Sequence, residues 1–209
     1  MRIAKEGLRF ILPAAGLAVL FGLLGLGGLA LLAFLFACAF TFFFRDPDRV
    51  PPAGEHRLVA PADGEVLGLE TVEAAPGLAG PATKLTIFLS LTDVHIVRAP
   101  LAATVASVDH RPGRFLPAYK PEAGERNEST TLALKGGQID AVMKMSVGVA
   151  ARRIMCFVQP GEALARGQRV GLMLFGSRVE LTLARGVALR VGLHDKVKAG
   201  ETVIGEVQP

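Results

Sequence analysis

The sequence predicts a mainly β soluble domain, barrel- or sandwich-like, behind an N-terminal α-helical membrane segment. Three observations carry that reading. From Phe10 to Phe44 there is no charged residue, and only Thr41 and Cys38 break the apolar run. Beyond the Pro-rich, charged stretch RDPDRVPPAGEH (45–56), the chain becomes a succession of short alternating or β-branched segments separated by glycine turns. That spacing is the pattern of a barrel or sandwich. No long amphipathic helical period interrupts it.

About 20 apolar residues suffice to cross a bilayer. The run here is about 35 residues, or roughly 52 Å as a single helix at 1.5 Å per residue. It is too long for one upright pass, and Gly22, Gly25, Gly27 and Gly28 fall within it. It therefore reads either as one long tilted helix or as two segments forming a hairpin. A signal peptide is the competing reading, with Arg2, Lys5 and Arg9 as its basic start and Ala37-Cys38-Ala39 as a cleavage site. A signal core of about 7–15 residues is much shorter than this run, which favours an anchor over residues 1–44. Basic residues flank both ends. Acidic neighbours count little for orientation, so the expected topology is a hairpin with both ends cytoplasmic, in the inner membrane. Residues 45–57 form the linker and 58–209 the soluble domain. A net charge of +4 and a pI near 9.4 suit an anionic membrane surface. With no Trp, one Tyr and no basic stripe interleaved with aromatics, nucleic acid is not an expected partner. Oligomerisation is left open. Cys38 and Cys156 lack metal-ligand spacing and read as two buried thiols; no metal is expected.

Strands are expected at 59–66 around an Asp63-Gly64 turn, then at 84–91, 102–108, 130–134, 139–145, 153–158, 170–175, 179–183 and 187–191, with a closing segment at 198–207. Between Gly113 and Ser129 lies a long polar loop without periodicity, of the kind that tends to be functional. The stretch LMLFGSRVELTL (172–183) places Gly176-Ser177 inside a strand-like run. Glycine there marks a bend or close approach. The bland reading is a kinked strand; the sharper one is that the bond itself reacts. His95, just past a strong strand and flanked by Asp93 and Arg98, is the histidine best placed for chemistry, since strand ends present reactive groups.

Val142-Met143-Lys144-Met145 has the look of the lysine hairpin of biotin-carrier domains, and PGE (160–162) with GQ (167–168) adds to a biotinyl/lipoyl-like, half-sandwich character. A carrier modified on Lys144 is thus an alternative of a different class, and a catalytically silent sandwich a third. Lys144 lies inside an apparent strand, however, and a carrier lysine belongs at a turn tip. Fold likeness alone does not assign function.

Several stretches together resemble one family. FRDPDR (44–49), VAPADGEV (59–66), FLSLTDVHIVRAP (88–100), GRFLPAYKPEAGERNE (113–128), VAARRI (149–154) and FGSRVEL (175–181) are similar, in content and order, to the phosphatidylserine decarboxylase proenzymes in their short bacterial and archaeal form. The resemblance implies a self-processing, pyruvoyl-dependent carboxy-lyase acting on a membrane phospholipid. Phosphatidylserine would become phosphatidylethanolamine, or archaetidylserine would undergo the same chemistry. It implies that Ser177 attacks the carbonyl of Gly176, that the chain separates into a β-chain 1–176 and an α-chain 177–209, and that Ser177 becomes the pyruvoyl group that joins the substrate amine. It further implies that His95 acts as base and Asp63 orients it. Long family members carry a second histidine where this chain has Arg98. Arg126, Asn127, Arg114 and Arg98 are the candidates for holding the lipid phosphate or serine carboxylate.

Overall fold

The computed structural model describes residues 2–120, 122–148, 153–174 and 177–208. It has two compact units, Met1–Asp48 and Arg49–Pro209.

In the first unit β1 (Arg2–Ile3) enters α1 (Leu8–Leu23), a turn leads to α2 (Gly27–Phe43), and β2 (Arg45–Asp46) follows. Gly25, at φ +72°, makes the turn, a left-handed conformation that glycine adopts without a Cβ penalty. The apolar run is therefore a helical hairpin and not a single rod. Phe10 stacks on Phe44 at 5.4 Å and meets Phe40 at 5.6 Å. Gly7 is required beneath Phe44, because a Cβ there would lie 2.5 Å from that ring. β1 pairs antiparallel with β2, Arg2 opposite Asp46, so both ends of the hairpin leave from the same side. The helix from Lys5 to Leu23 is 19 residues with a mean hydropathy of 1.5, about 28 Å long against a hydrocarbon core of about 30 Å.

The second unit is built almost wholly from strands: β3 (Arg57–Val59), β4 (Gly64–Val72), β5 (Ala82–Leu89), β6 (Ile96–Arg98), β7 (Ala103–Arg111), β8 (Ser129–Gly136), β9 (Ala141–Val147), β10 (Ile154–Cys156), β11 (Ala163–Leu164), β12 (Arg169–Met173), β13 (Ser177–Ala184), β14 (Val187–Leu189), β15 (Lys196–Val197) and β16 (Val203–Val207). Its one described helix, α3 (Ala123–Arg126), is a single turn in the long polar loop. An eight-stranded sheet runs β11-β7-β8-β9-β13-β5-β4-β15, and two three-stranded sheets, β10-β12-β6 and β14-β16-β3, accompany it. The large sheet curls as a half-barrel around one core.

Alternation explains which face is which. In β13, Val179, Leu181 and Leu183 enter the core with Leu85 and Ile87 of β5 and Met143 of β9. Fully burying each such side chain contributes roughly 1.5–3 kcal/mol. The intervening Arg178, Glu180 and Thr182 point to the other face, yet they too are buried, and the 113–128 loop covers the first two. β13 is therefore a central strand covered on both sides. It begins at Ser177, two residues earlier than its apolar content suggests.

Candidate active site

Ser177 is locked by its neighbours. It pairs with Leu89 of β5 on one side and Val147 of β9 on the other. It shares parity with Val179 and Leu181, so its hydroxyl faces the core side. Its exposure is 0%, and Oγ has no hydrogen-bond partner among the described residues. A buried, unpaired hydroxyl costs about 1–3 kcal/mol, and such orphans call for a functional explanation. Gly176, the other half of the bond singled out above, lies outside the described residues, as does most of VAARRI.

His95 is held a short way along the chain from Leu89. Asp93 closes the intervening turn by accepting from the Ser90 N–H at 2.8 Å and the Ser90 hydroxyl at 2.7 Å. The ring of His95 is fully buried, with Nδ1 2.9 Å from the carbonyl oxygen of Asp93. A carbonyl can only accept, so Nδ1 carries the proton and, in the neutral ring, Nε2 is the basic nitrogen. The backbone of His95 accepts from the Met173 N–H at 3.1 Å, and Ile96 pairs with Leu172. Two pairings thus bracket the reactive stretch: Met173 is tied to His95, and Ser177, four residues on, is tied to Leu89.

Asp63 reaches the same end of the sheet. Gly64 has φ +144°, and a Cβ on it would fall 2.1 Å from the carbonyl oxygen of Phe88. Only glycine lets the ADG motif press against the end of β5. Glu65 pairs with Phe88 while Ser177 pairs with Leu89. Ser177 and Gly64 therefore flank β5 on its two sides, about 10 Å apart at the usual inter-strand spacing. The Asp63 carboxylate is buried. It accepts from the Ala199 N–H at 2.8 Å and forms an ion pair with Arg49 at 3.0 Å. Arg49 also pairs with Glu201. Two residues on, Glu65 is half-buried at the edge of the sheet. Hydrogen bonds from Lys196 first and His194 second hold its carboxyl below the usual carboxylate range.

Sequence reasoning alone does not single out Arg49; its place in FRDPDR is the one hint. Breaking one partner of a buried ion pair strands the other charge and costs about 3–5 kcal/mol. Arg49→Gln is expected to lower unfolding stability by that order when compared in the same detergent. A loss under about 1 kcal/mol, the scale of an exposed pair, would show that solvent already screens Asp63.

The four headgroup candidates separate into two kinds. Asn127 is buried and committed: its amide donates to the carbonyls of Leu116 (2.8 Å) and Val147 (2.7 Å) and accepts from the Leu116 N–H (2.8 Å). It clamps the long loop to the residue paired with Ser177. Arg98 is also buried, with its guanidinium donating to the Gly167 carbonyl at 3.0 Å. Arg114 and Arg126 are exposed on the loop, which their backbones close through the Arg114 N–H and the Arg126 carbonyl at 2.7 Å. Lys144 lies in mid-strand opposite Glu180, and its ammonium donates to the Gly124 carbonyl. Arg178 pairs with Glu180 at 2.6 Å, and Gly124 sits so close that a Cβ would lie 2.8 Å from that carboxylate. Lys144, Arg178 and Glu180 thus support the loop from beneath, a role that β-strand parity hints at but sequence reasoning misses.

Comparison with known proteins shows the family to which the chain belongs. Residues 36–205 match the family model described as phosphatidylserine decarboxylase. A phosphatidylserine decarboxylase proenzyme of Desulfotalea psychrophila is 38% identical over 208 residues, 98% of this chain and 96% of the relative. One from Carboxydothermus hydrogenoformans is 40% identical over 207 residues, with coverages of 98% and 96%. One from Burkholderia mallei is 37% identical over 206 residues, with coverages of 98% and 95%.

Proposed function

Because the chain belongs to the phosphatidylserine decarboxylase family, we propose that it is made as a proenzyme, cleaves itself between Gly176 and Ser177, and then decarboxylates phosphatidylserine to phosphatidylethanolamine. The observation that carries this reading is the Ser177 hydroxyl, buried and without a partner among the described residues, at the first residue of a strand held on both sides.

Serine places a nucleophile beside the preceding carbonyl. His95 Nε2 takes the hydroxyl proton as Ser177 Oγ adds to the Gly176 carbonyl carbon. The C–N bond breaks, the Ser177 nitrogen takes up the proton, and an ester joins the two parts. Loss of the Ser177 Cα proton then expels the Gly176 carboxylate and leaves a dehydroalanine, which tautomerises to an imine. Water hydrolyses that imine, releasing ammonia and leaving a ketone. The residues present fit the resulting pyruvoyl group: the position is buried, pinned by two strands, and supplied with a hydroxyl that no other described residue engages. Such a carbonyl accepts an amine and acts as electron sink for loss of carbon dioxide.

Around it, the Asp93 carbonyl keeps the His95 ring in the tautomer that leaves Nε2 basic. The same nitrogen returns a proton to the substrate carbon. Asp63 supplies a buried negative charge on the His95 side, itself held by Arg49 and the Ala199 N–H. Arg114 and Arg126 meet the lipid headgroup, while Asn127 and Arg98 act by holding the walls. Gripping the substrate carboxylate too firmly would oppose catalysis, because that charge leaves in the transition state. Residues 1–44 anchor the protein as a membrane hairpin with both ends on the cytoplasmic side of the inner membrane, and 45–57 join it to the catalytic domain. A carrier role through Lys144 fits less well, since that lysine is neither at a turn nor free.

Intact-mass measurement of purified protein tests the reading. The expected result is two chains, 1–176 and 177–209, the second lighter by one ammonia than the amino-terminated peptide and blocked to stepwise degradation. Active protein that stays in one piece would overturn it.

A further inference from the structure

A phospholipid substrate lies in a bilayer, whereas Ser177 is buried at one end of a sheet, so that end must meet the lipid. We infer that it docks on the bilayer surface through two loop tips. Leu91, Phe115 and Tyr119 enter the headgroup–acyl boundary there, and Arg114, Lys120 and Arg126 meet lipid phosphates. This rests on the proposed decarboxylase reading only for the identity of the substrate.

The placement follows from contacts already described. Leu91, 58% exposed, comes two residues after Leu89, the β5 partner of Ser177. Phe115, 39% exposed, adjoins Leu116, which Asn127 ties to Val147, the β9 partner of Ser177. Tyr119, 61% exposed, meets Phe88 edge-on at 6.4 Å, and Phe88 pairs with Arg178. Each apolar tip is thus fastened to a strand end beside Ser177. Large apolar side chains left in water beside a reactive end mark an interaction surface.

The charge pattern identifies the partner. Arg114, Lys120 and Arg126 are exposed, and none of the three side chains has a hydrogen-bond or ion-pair partner among the described residues. Over 113–128 three bases stand beside three acids, Glu122, Glu125 and Glu128, but Glu128 turns to His110 at 3.8 Å, and the three unpartnered bases remain for an anionic lipid surface. An aromatic ring with a polar tip, as in Tyr119, suits the membrane interface, and long basic side chains can reach up to phosphates while their stems stay apolar.

The chain contains no tryptophan, so a single introduced indole reports depth without background. Phe115→Trp and Tyr119→Trp are made in the full-length chain and reconstituted in vesicles of phosphatidylcholine with phosphatidylserine, some lipids carrying brominated acyl chains. Gln138→Trp, in the exposed turn between β8 and β9 at the opposite end of those strands, is the control. Depth is the readout because the N-terminal hairpin keeps the protein on the vesicle in any case. The expected result is a blue-shifted emission and strong quenching at 115 and 119, with neither at 138. Quenching no greater than at 138 would overturn the inference.

A second measurement compares substrates. Leu91→Ser with Phe115→Ser and Tyr119→Ser should reduce kcat/KM on vesicle lipid roughly tenfold, as interfacial apolar anchoring is lost, and leave it unchanged on short-chain monomeric phosphatidylserine. Equal loss on both would assign these side chains to the site itself and sink the docking role. Absence of turnover on the short-chain lipid by the unaltered protein would instead count against the decarboxylase reading, and the quenching result would still decide the docking.

Discussion

Ser177→Ala is expected to give a chain that never divides and never decarboxylates. In the proposed mechanism the nucleophile, the cleaved bond and the reactive carbonyl all belong to one residue, so no residual route remains. The same substitution should leave the fold intact. Ser177 Oγ is buried without a partner among the described residues, and replacing such a hydroxyl by hydrogen removes a desolvation penalty of about 1–3 kcal/mol. The variant should therefore unfold at a temperature equal to or above that of the unprocessed parent. Gel analysis, intact mass and a thermal scan check the three parts together. A variant that still yields the 177–209 fragment would refute the assignment of the cleavage site. One that is both inactive and much less stable would point to a structural role for the hydroxyl. The expected combination, more stable and inert, is the sign of a residue kept for chemistry at the expense of stability.

His95→Gln has the next largest expected effect. Glutamine can still donate an N–H toward the Asp93 carbonyl, which now holds the ring at 2.9 Å, but it cannot take a proton. It separates the base from the strut. Self-cleavage should slow by about 10²–10⁴-fold, the usual contribution of a positioned base, with little change in stability. His95→Ala removes both functions and should in addition loosen the turn from Ser90 to Asp93. Time courses of chain separation, followed from the precursor in a cell-free synthesis, measure the difference. Cleavage of the glutamine variant at the parental rate would remove His95 from the role of base. Processing unchanged but turnover lost would confine it to proton return.

Much of this molecule is legible along the chain. The apolar run announces an apolar helical segment, and the two-residue alternation announces β13, because Val179, Leu181 and Leu183 each need a core and Arg178 and Glu180 do not. The ordered motifs ADG, DVH and FGSRVE identify the family before any coordinate. Yet the length of the apolar run could not choose between rod and hairpin. Gly25 and the packing of Phe10 on Phe44 choose the hairpin, and that depends on residues more than 30 positions apart meeting face to face. Asn127 and Arg98 read as headgroup ligands because their side chains could serve. In the structure the Asn127 amide donates to the Leu116 and Val147 carbonyls and Arg98 donates to the Gly167 carbonyl, oxygens that only a folded backbone presents.

What the sequence determined by itself is the inventory: a long apolar segment, a β domain, and a serine after glycine in a family of decarboxylase proenzymes. Local patterns and motifs suffice for that, because side-chain alternation and reactive groups are properties of short segments. Tertiary structure alone decided what surrounds each group. It buried Ser177 between Leu89 and Val147, gave Asp63 its Arg49 partner, and turned Nδ1 of His95 to a carbonyl. The physical reason is that burial and hydrogen-bond partnership arise from strand pairing between distant parts of the chain, and no local stretch of sequence encodes its own partner.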